Sequence, residues 1–287
     1  MFFVVLKTLN LKLEHNINNY GDFLELLKNK YPFFNNNLFL LIINIFLAVT
    51  FYIMLVGLST LFNYQFGFQK IIITLVVVLL CYNILNKNNL NFLYIINSIL
   101  MPVLILFISF LSINNINISK IEIYNNKNII FSIFSGLIYF SYNSLLIIPI
   151  LFKIQTTNKK NNLLLSLFFC LIIFILAILI NLLLLTYFNY IKNIDLPILA
   201  ICNLKNNIFS FLYFFIILSA ILSTLFSAGF SFIANINKKN KKIILILFLS
   251  LSFIFNYFSL SNLIDIFYPI FGLLGFVQIF LILFNKY

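Results

Sequence analysis

Residues 129–152, IIFSIFSGLIYFSYNSLLIIPILF, decide the class of this chain. These 24 residues carry no charge and are long enough to cross the hydrocarbon core of a bilayer. They also hold Gly136, then Tyr139, Ser141, Tyr142 and Asn143 close together, then Pro149. A helix that only sits in lipid has no need of an asparagine near its middle, because the amide must find partners in place of water. The stretch predicts a helix interrupted inside the membrane, where freed backbone groups meet an ion or a small polar solute.

Composition points the same way. Hydrophobic residues make up 63% of the 287 residues and charged residues 8%, with a mean hydropathy of +1.11. A soluble domain of this length needs far more charge on its surface, so the chain reads as one integral membrane domain over residues 1–287. No linker rich in Gly, Ser or Pro divides it. The net charge of +12 comes from lysines that flank apolar runs, which points to a lipid bilayer as partner and not to nucleic acid. Cys81, Cys170 and Cys202 show no metal-ligand spacing. The opening MFFVVLK is too short for a signal-peptide core.

Working outward from residues 129–152, the same apolar signal recurs at 38–62, 70–85, 90–112, 163–188, 209–234, 242–259 and 263–284. That predicts an all-α polytopic protein with about eight transmembrane helices and a bundle over 38–284. Thirteen of the 18 lysines then fall on one side, most of the bias coming from clusters at 153–160 and 238–242. The positive-inside rule places both termini in the cytoplasm. Within the cytoplasmic segment 1–37, Asp22 with Glu25 reads as a capping-box start for an amphipathic surface helix over 22–31, its apolar face made of Phe23, Leu26, Leu27 and Tyr31. In the outer loop 189–208, Asp195 is placed to cap a helix starting at Pro197, either a lid-like or re-entrant element or a plain surface helix.

Enzyme machinery is scarce, and the chain reads as no enzyme. The single histidine, His15, sits in the cytoplasmic segment, and all six acids lie in loops or near span ends. A metal cluster, a catalytic triad or an intramembrane proton relay has no residues to be built from. Hydroxyl, amide and backbone oxygens remain, which suit a dehydrated monovalent cation or a small polar solute. In the span 209–234, Ser219, Ser223 and Ser227 recur every four residues with Thr224 beside them. Their hydroxyls can coordinate sodium, and the same spacing equally serves close helix packing. Met54, Gly57 and Ser59 form a weaker set in the first full span, with packing as the default role.

At these residues the chain resembles a known family. GLIYFSYNSLLIIPIL (136–151), LPILAICNLKNNIFSFLYFFIILSAILSTLFSAGF (196–230) and SLSNLIDIFYPIFGLLGF (259–276) are similar to the YkvI-like bacterial membrane proteins. That uncharacterised family looks related to the amino acid–polyamine–organocation transporters of the LeuT fold. The resemblance implies helices 3–10 of a ten-helix inverted-repeat (5+5) architecture in a bacterial plasma membrane. It makes 129–152 the helix broken at midplane, and 209–234 the helix whose Ser223 and Thr224 hold the coupling ion. Gly136, Tyr139, Ser141, Tyr142 and Asn143, with Met54 and Gly57, become solute-binding positions, and Ser219 and Ser227 join the ion set. Helices 38–62 and 209–234 would rock against the 129–152 group to give alternating access. Met1 to Val5 then look like the end of an earlier helix, so the resemblance implies a chain truncated at its N-terminus relative to the family. A ligand-sensing subunit like those of germinant receptors, or a structural membrane subunit, is the rival expectation.

Overall fold

The computed structural model describes residues 1–17, 20–30, 36–87, 91–117, 121, 129–152, 154, 158–234 and 241–284. Among them every regular element is a helix: α1 (Phe2–His15), α2 (Tyr20–Lys30), α3 (Asn36–Phe66), α4 (Lys70–Lys87), α5 (Asn91–Asn115), α6 (Ile129–Leu151), α7 (Lys159–Thr186), α8 (Phe188–Ile191), α9 (Pro197–Lys205), α10 (Asn207–Ala234), α11 (Lys241–Phe255) and α12 (Leu260–Leu283). Each of the eight apolar segments of the sequence coincides for most of its length with one of these helices, although 242–259 runs four residues past the end of α11. Five are long and apolar enough to cross a membrane, within α3, α6, α7, α10 and α12, and shorter apolar stretches lie in α4, α5 and α11. The protein is therefore an all-helical membrane protein.

Two compact units divide the chain. The first contains Met1–Ile42, Tyr124–Ala177 and Asp265–Tyr287. Its N-terminal part is more built than the sequence suggests, for α1 runs on to His15 and buries Val4, Val5, Thr8, Leu9 and Leu11. The Lys12 ammonium donates to the Phe152 carbonyl just past the end of α6, where helix carbonyls lack intrahelical donors. Glu14 pairs with Lys159 at 2.6 Å, and the Asn162 amide donates to Asn10 at 3.0 Å. The helix α2 differs in detail from its expected form. It starts at Tyr20, so Asp22 falls inside the first turn. Leu24, not Leu26, joins Phe23 and Leu27 as fully buried, and Phe23 packs on Phe152 with ring centroids 5.1 Å apart. Its apolar face is thus taken up by protein. Tyr31 lies outside the described residues.

The same unit holds a very close approach of α6 to α12. A methyl group at Gly272 would sit 2.7 Å from the Ile138 carbonyl oxygen, and one at Gly275 would collide with the Ser141 carbonyl. Nearby, the rings of Tyr142 and Tyr268 stack with centroids 4.0 Å apart. With lipid as apolar as the side chains it would replace, such backbone proximity gains dispersion contacts that larger residues would prevent.

The second unit contains Ile43–Ile123 and Ile178–Ile264. Its core joins Phe51, Tyr52, Leu55 and Leu58 of α3 to Val77, Cys81 and Leu85 of α4, Leu225 and Phe226 of α10, and Leu245, Phe248 and Leu249 of α11. The helices α3 and α10 run antiparallel: Phe51 meets Gly229, Gly57 meets Ile221, and Phe66 meets Phe214. Tyr52 donates to the Phe248 carbonyl at 2.9 Å, which ties α3 to α11. The outer-loop helix begins at Pro197 as expected, a position where the missing N–H costs nothing. Asp195 does not cap it. The carboxylate instead accepts from the Ser261 hydroxyl at 2.7 Å, at the start of α12, and Leu196 is the N-cap. On α9, Leu199, Ala200, Ile201 and Cys202 are buried, so it is no loose surface helix.

The glycine contacts make unequal demands. Replacing Gly275 by Ala overpacks a backbone contact and is expected to cost about 1–3 kcal/mol. At Gly57 an added methyl would meet only Leu260 and Ile221 side chains at 3.7–3.9 Å, an ordinary contact. Unfolding of the purified protein in detergent should therefore show a clear loss for Gly275→Ala and a change within about 0.5 kcal/mol for Gly57→Ala. Equal effects would refute this account of the α6–α12 contact.

Candidate functional site

The helix α6 is continuous from Ile129 to Leu151, so the expected interruption is not there. Its polar side chains turn back onto their own helix. Asn143 Nδ2 donates to the Tyr139 carbonyl at 2.8 Å, and Ser141 Oγ donates to the Ile138 carbonyl at 2.8 Å. Ser144 Oγ does the same to the Ser141 carbonyl at 2.6 Å. Such local bonds satisfy the side chains without opening the ladder. Pro149 lies in the last turn, where the helix is about to end and one lost hydrogen bond is cheap.

The five solute candidates on α6 divide between two faces. Ser141 and Tyr142 are buried. Gly136 and Tyr139 are exposed and Asn143 half-buried; Tyr139 is 62% exposed, and nothing lies within 4 Å of a methyl placed on Gly136. Positions 136, 139 and 143 follow helical spacing, so the bare glycine, the phenol and the amide form one polar stripe. The Asn143 carbonyl oxygen and the Tyr139 hydroxyl are its chemistry: acceptors and a donor, with no charge.

The ion candidates on α10 behave alike. Ser219 donates to the Ile216 carbonyl at 2.7 Å, Ser223 to Ala220 at 2.9 Å, Thr224 to Ala220 at 3.0 Å and Ser227 to Thr224 at 3.3 Å. Each hydroxyl gives its proton to the helix and keeps oxygen lone pairs for a cation. Ser223 is buried, Ser219 and Thr224 are half-buried and Ser227 is exposed. Met54 packs against the second unit's core, and Gly57 lies against Ile221, between Ser219 and Ser223 in sequence. The structure thus brings the α3 and α10 candidates to one helix contact in the second unit, whereas the α6 candidates belong to the first.

Among the described residues no group of three His, Cys, Asp or Glu side chains is placed to hold a metal ion. Sequence reasoning passed over Gln65, whose Oε1 is buried without a partner while its Nε2 reaches Ser210 Oγ at 3.4 Å. Gln65, Asn203, Asn207 and Ser210 line a cavity of about 620 Å³. Their only signal in the sequence is amide residues at the ends of apolar runs. No protein-family model matches the chain, and neither a curated protein nor a solved structure does. The likeness seen at residues 136–151, 196–230 and 259–276 rests on those residues alone.

On α9, burial pushes the Cys202 thiol up to about 12. Below that pH the group stays protonated, and the thiolate is the reactive form. In a variant lacking Cys81 and Cys170, maleimide labelling at pH 8 is expected to be at least about a hundredfold slower for folded than for denatured protein. Comparable rates would show that α9 does not bury this side.

Proposed function

We propose that this chain is a secondary-transporter-like membrane protein that moves a small polar solute, an amino acid or an amine, coupled to an ion. The observation that supports it most is the division of the chain into units. Alternating access requires 38–62 and 209–234 to move together and 129–152 to belong elsewhere. The compact units group most of 38–62, from Ile43 onward, with 209–234, and assign 129–152 to the other unit. That grouping owes nothing to hydropathy or to lysine counts.

On this reading the protein spans a bacterial plasma membrane with about eight helices in an inverted-repeat arrangement and both termini in the cytoplasm. With α6 continuous, side chains rather than freed backbone meet the solute. Tyr139 and Asn143 hold it on the open stripe beside Gly136, while Ser141 and Tyr142 brace the helix from behind. Sodium is the ion that suits neutral oxygens, with Ser223 and Thr224 as central ligands and Ser219 and Ser227 flanking them. Among the described residues, Glu14, Asp22 and Glu25 lie on α1 and α2, Asp195 between α8 and α9, and Asp265 within the first two turns of α12, a placement that favours a metal cation over a proton as the coupled species.

The test is uptake of radiolabelled amino acids and amines into proteoliposomes under an inward sodium gradient. Sodium-dependent uptake is expected to fall about tenfold or more in the Ser223→Ala, Thr224→Ala double variant, the effect of losing charge-assisted contacts. Unchanged sodium dependence in that variant sinks the ion assignment. Specific binding without any flux would replace transport by a sensing role.

A further inference from the structure

A second cavity, of about 610 Å³, lies in the second unit between the α3–α4 turn and the α11–α12 turn. Gln69 and Lys70 line it from one turn, Asn256, Tyr257 and Ser259 from the other. Three of its polar features are donors. Lys70, the first residue of α4, brings an ammonium group. Of the first-turn N–H groups, those of Ile72 and Ile73 turn back to the Gln69 carbonyl, leaving those of Lys70 and Ile71 at the positive end of the helix. Asn256 is only 9% exposed, and its Oδ1 is occupied, accepting from Ser59 Oγ at 3.0 Å. Its amide NH2 is then the end left without an acceptor among the described residues. Asn256 lines the cavity, so this donor is open to an acceptor that enters there. No carboxylate lines the cavity, and Asp195 of the same unit is engaged by Ser261.

An amide donor on a mostly buried residue, an ammonium and a helix N-terminus around one space are the donor set of an oxyanion site. The surroundings choose among oxyanions. Beyond Lys70, α4 presents Ile71, Ile72, Leu75, Val76, Leu79 and Leu80, each 47–57% exposed. Thr74, Val77, Cys81 and Leu85 on its other face are buried. The apolar stripe runs along the helix from the cavity and is a wall for acyl chains, and Tyr257, 84% exposed, stands beside the cavity as an interfacial aromatic does. A free phosphate would use the donors and ignore the stripe. A phospholipid uses both.

We infer that this cavity holds the phosphate of a membrane lipid, gripped by Lys70, Asn256 and the start of α4, with the acyl chains along the exposed face of α4. The site is independent of the solute reading and stands or falls by itself. The test takes the full chain in neutral detergent and titrates it with phosphatidylglycerol, with diacylglycerol of the same chains, and with inorganic phosphate. Native mass spectrometry reads the lipid retained per chain. Phosphatidylglycerol is expected to be retained and diacylglycerol not. Lys70→Gln should weaken retention about fivefold, the effect of one lysine near an anionic headgroup. Asn256→Leu should weaken it as well, while Lys205→Gln, whose lysine lies over the Tyr187 ring, should change nothing. Because Asn256 also holds Ser59, its unfolding temperature is measured in parallel, and half-exposed Lys70 supplies the variant least able to disturb folding. Equal retention of diacylglycerol, or unchanged affinity in Lys70→Gln, overturns the inference. Displacement of the lipid by inorganic phosphate at matching concentration overturns the lipid assignment and gives the site to free phosphate.

Discussion

Inside a bilayer no water completes a hydrogen bond, so each backbone group and each polar side chain there must be satisfied by protein. Many polar side chains in the described spans meet that demand within their own helix. On α6, Asn143, Ser141 and Ser144 give their protons to carbonyls three or four residues back, and on α10 Ser219, Ser223, Thr224 and Ser227 do the same. The consequence is rigid, unbroken helices whose polar groups still offer oxygen lone pairs. Donors are spent on the fold and acceptors are kept, which is the balance a site for a cation or an ammonium-bearing solute needs.

Satisfied helices still have to stay together, and in lipid they cannot rely on the hydrophobic effect to do it. The first unit answers with backbone proximity at Gly272 and Gly275, where α12 comes within a methyl group's reach of the α6 carbonyls. The second unit answers with aromatic interlocking, Phe51 and Tyr52 against Phe248 and Phe62 against Phe214, and with the tyrosine hydroxyl bond from α3 to α11. Three further polar bonds, Ser59 to Asn256, Ser261 to Asp195 and Gln65 to Ser210, each involve a residue at or close to a helix end. Gln65 and Ser210 line one of the two cavities and Asn256 lines the other.

Which parts were legible follows from what kind of signal each leaves. Long uncharged apolar runs can only be helices in a membrane, so all eight segments appear as helices with ends close to those expected. Pro197 marks the start of α9 in the sequence as it does in the structure, because its φ and missing N–H suit a first turn. Local signals failed where a remote partner competed. Asp195 had a suitable helix two residues away, yet Ser261, distant in sequence, claims its carboxylate. The burial of Leu24 in place of Leu26 turns on the phase at which α2 meets Phe152, and composition says nothing of phase. The polar knot at 139–143 was visible, but its effect on the helix was misjudged, since an asparagine that bonds its own i−4 carbonyl is spelled the same as one that breaks a helix.

By itself, then, the sequence determined that this is a helical membrane protein, where its apolar helices run, and which neutral oxygens are available inside them. Hydropathy and charge act residue by residue, and their effects can be summed along a chain. Tertiary structure alone decided which face of α6 is open, with Tyr139 exposed and Tyr142 buried against Tyr268, and that a methyl at Gly275 meets backbone while one at Gly57 meets only side chains. It also decided that Lys70 and Asn256, 186 positions apart, line one cavity. Those outcomes depend on where one helix surface meets another, and that is fixed by packing between segments far apart in sequence.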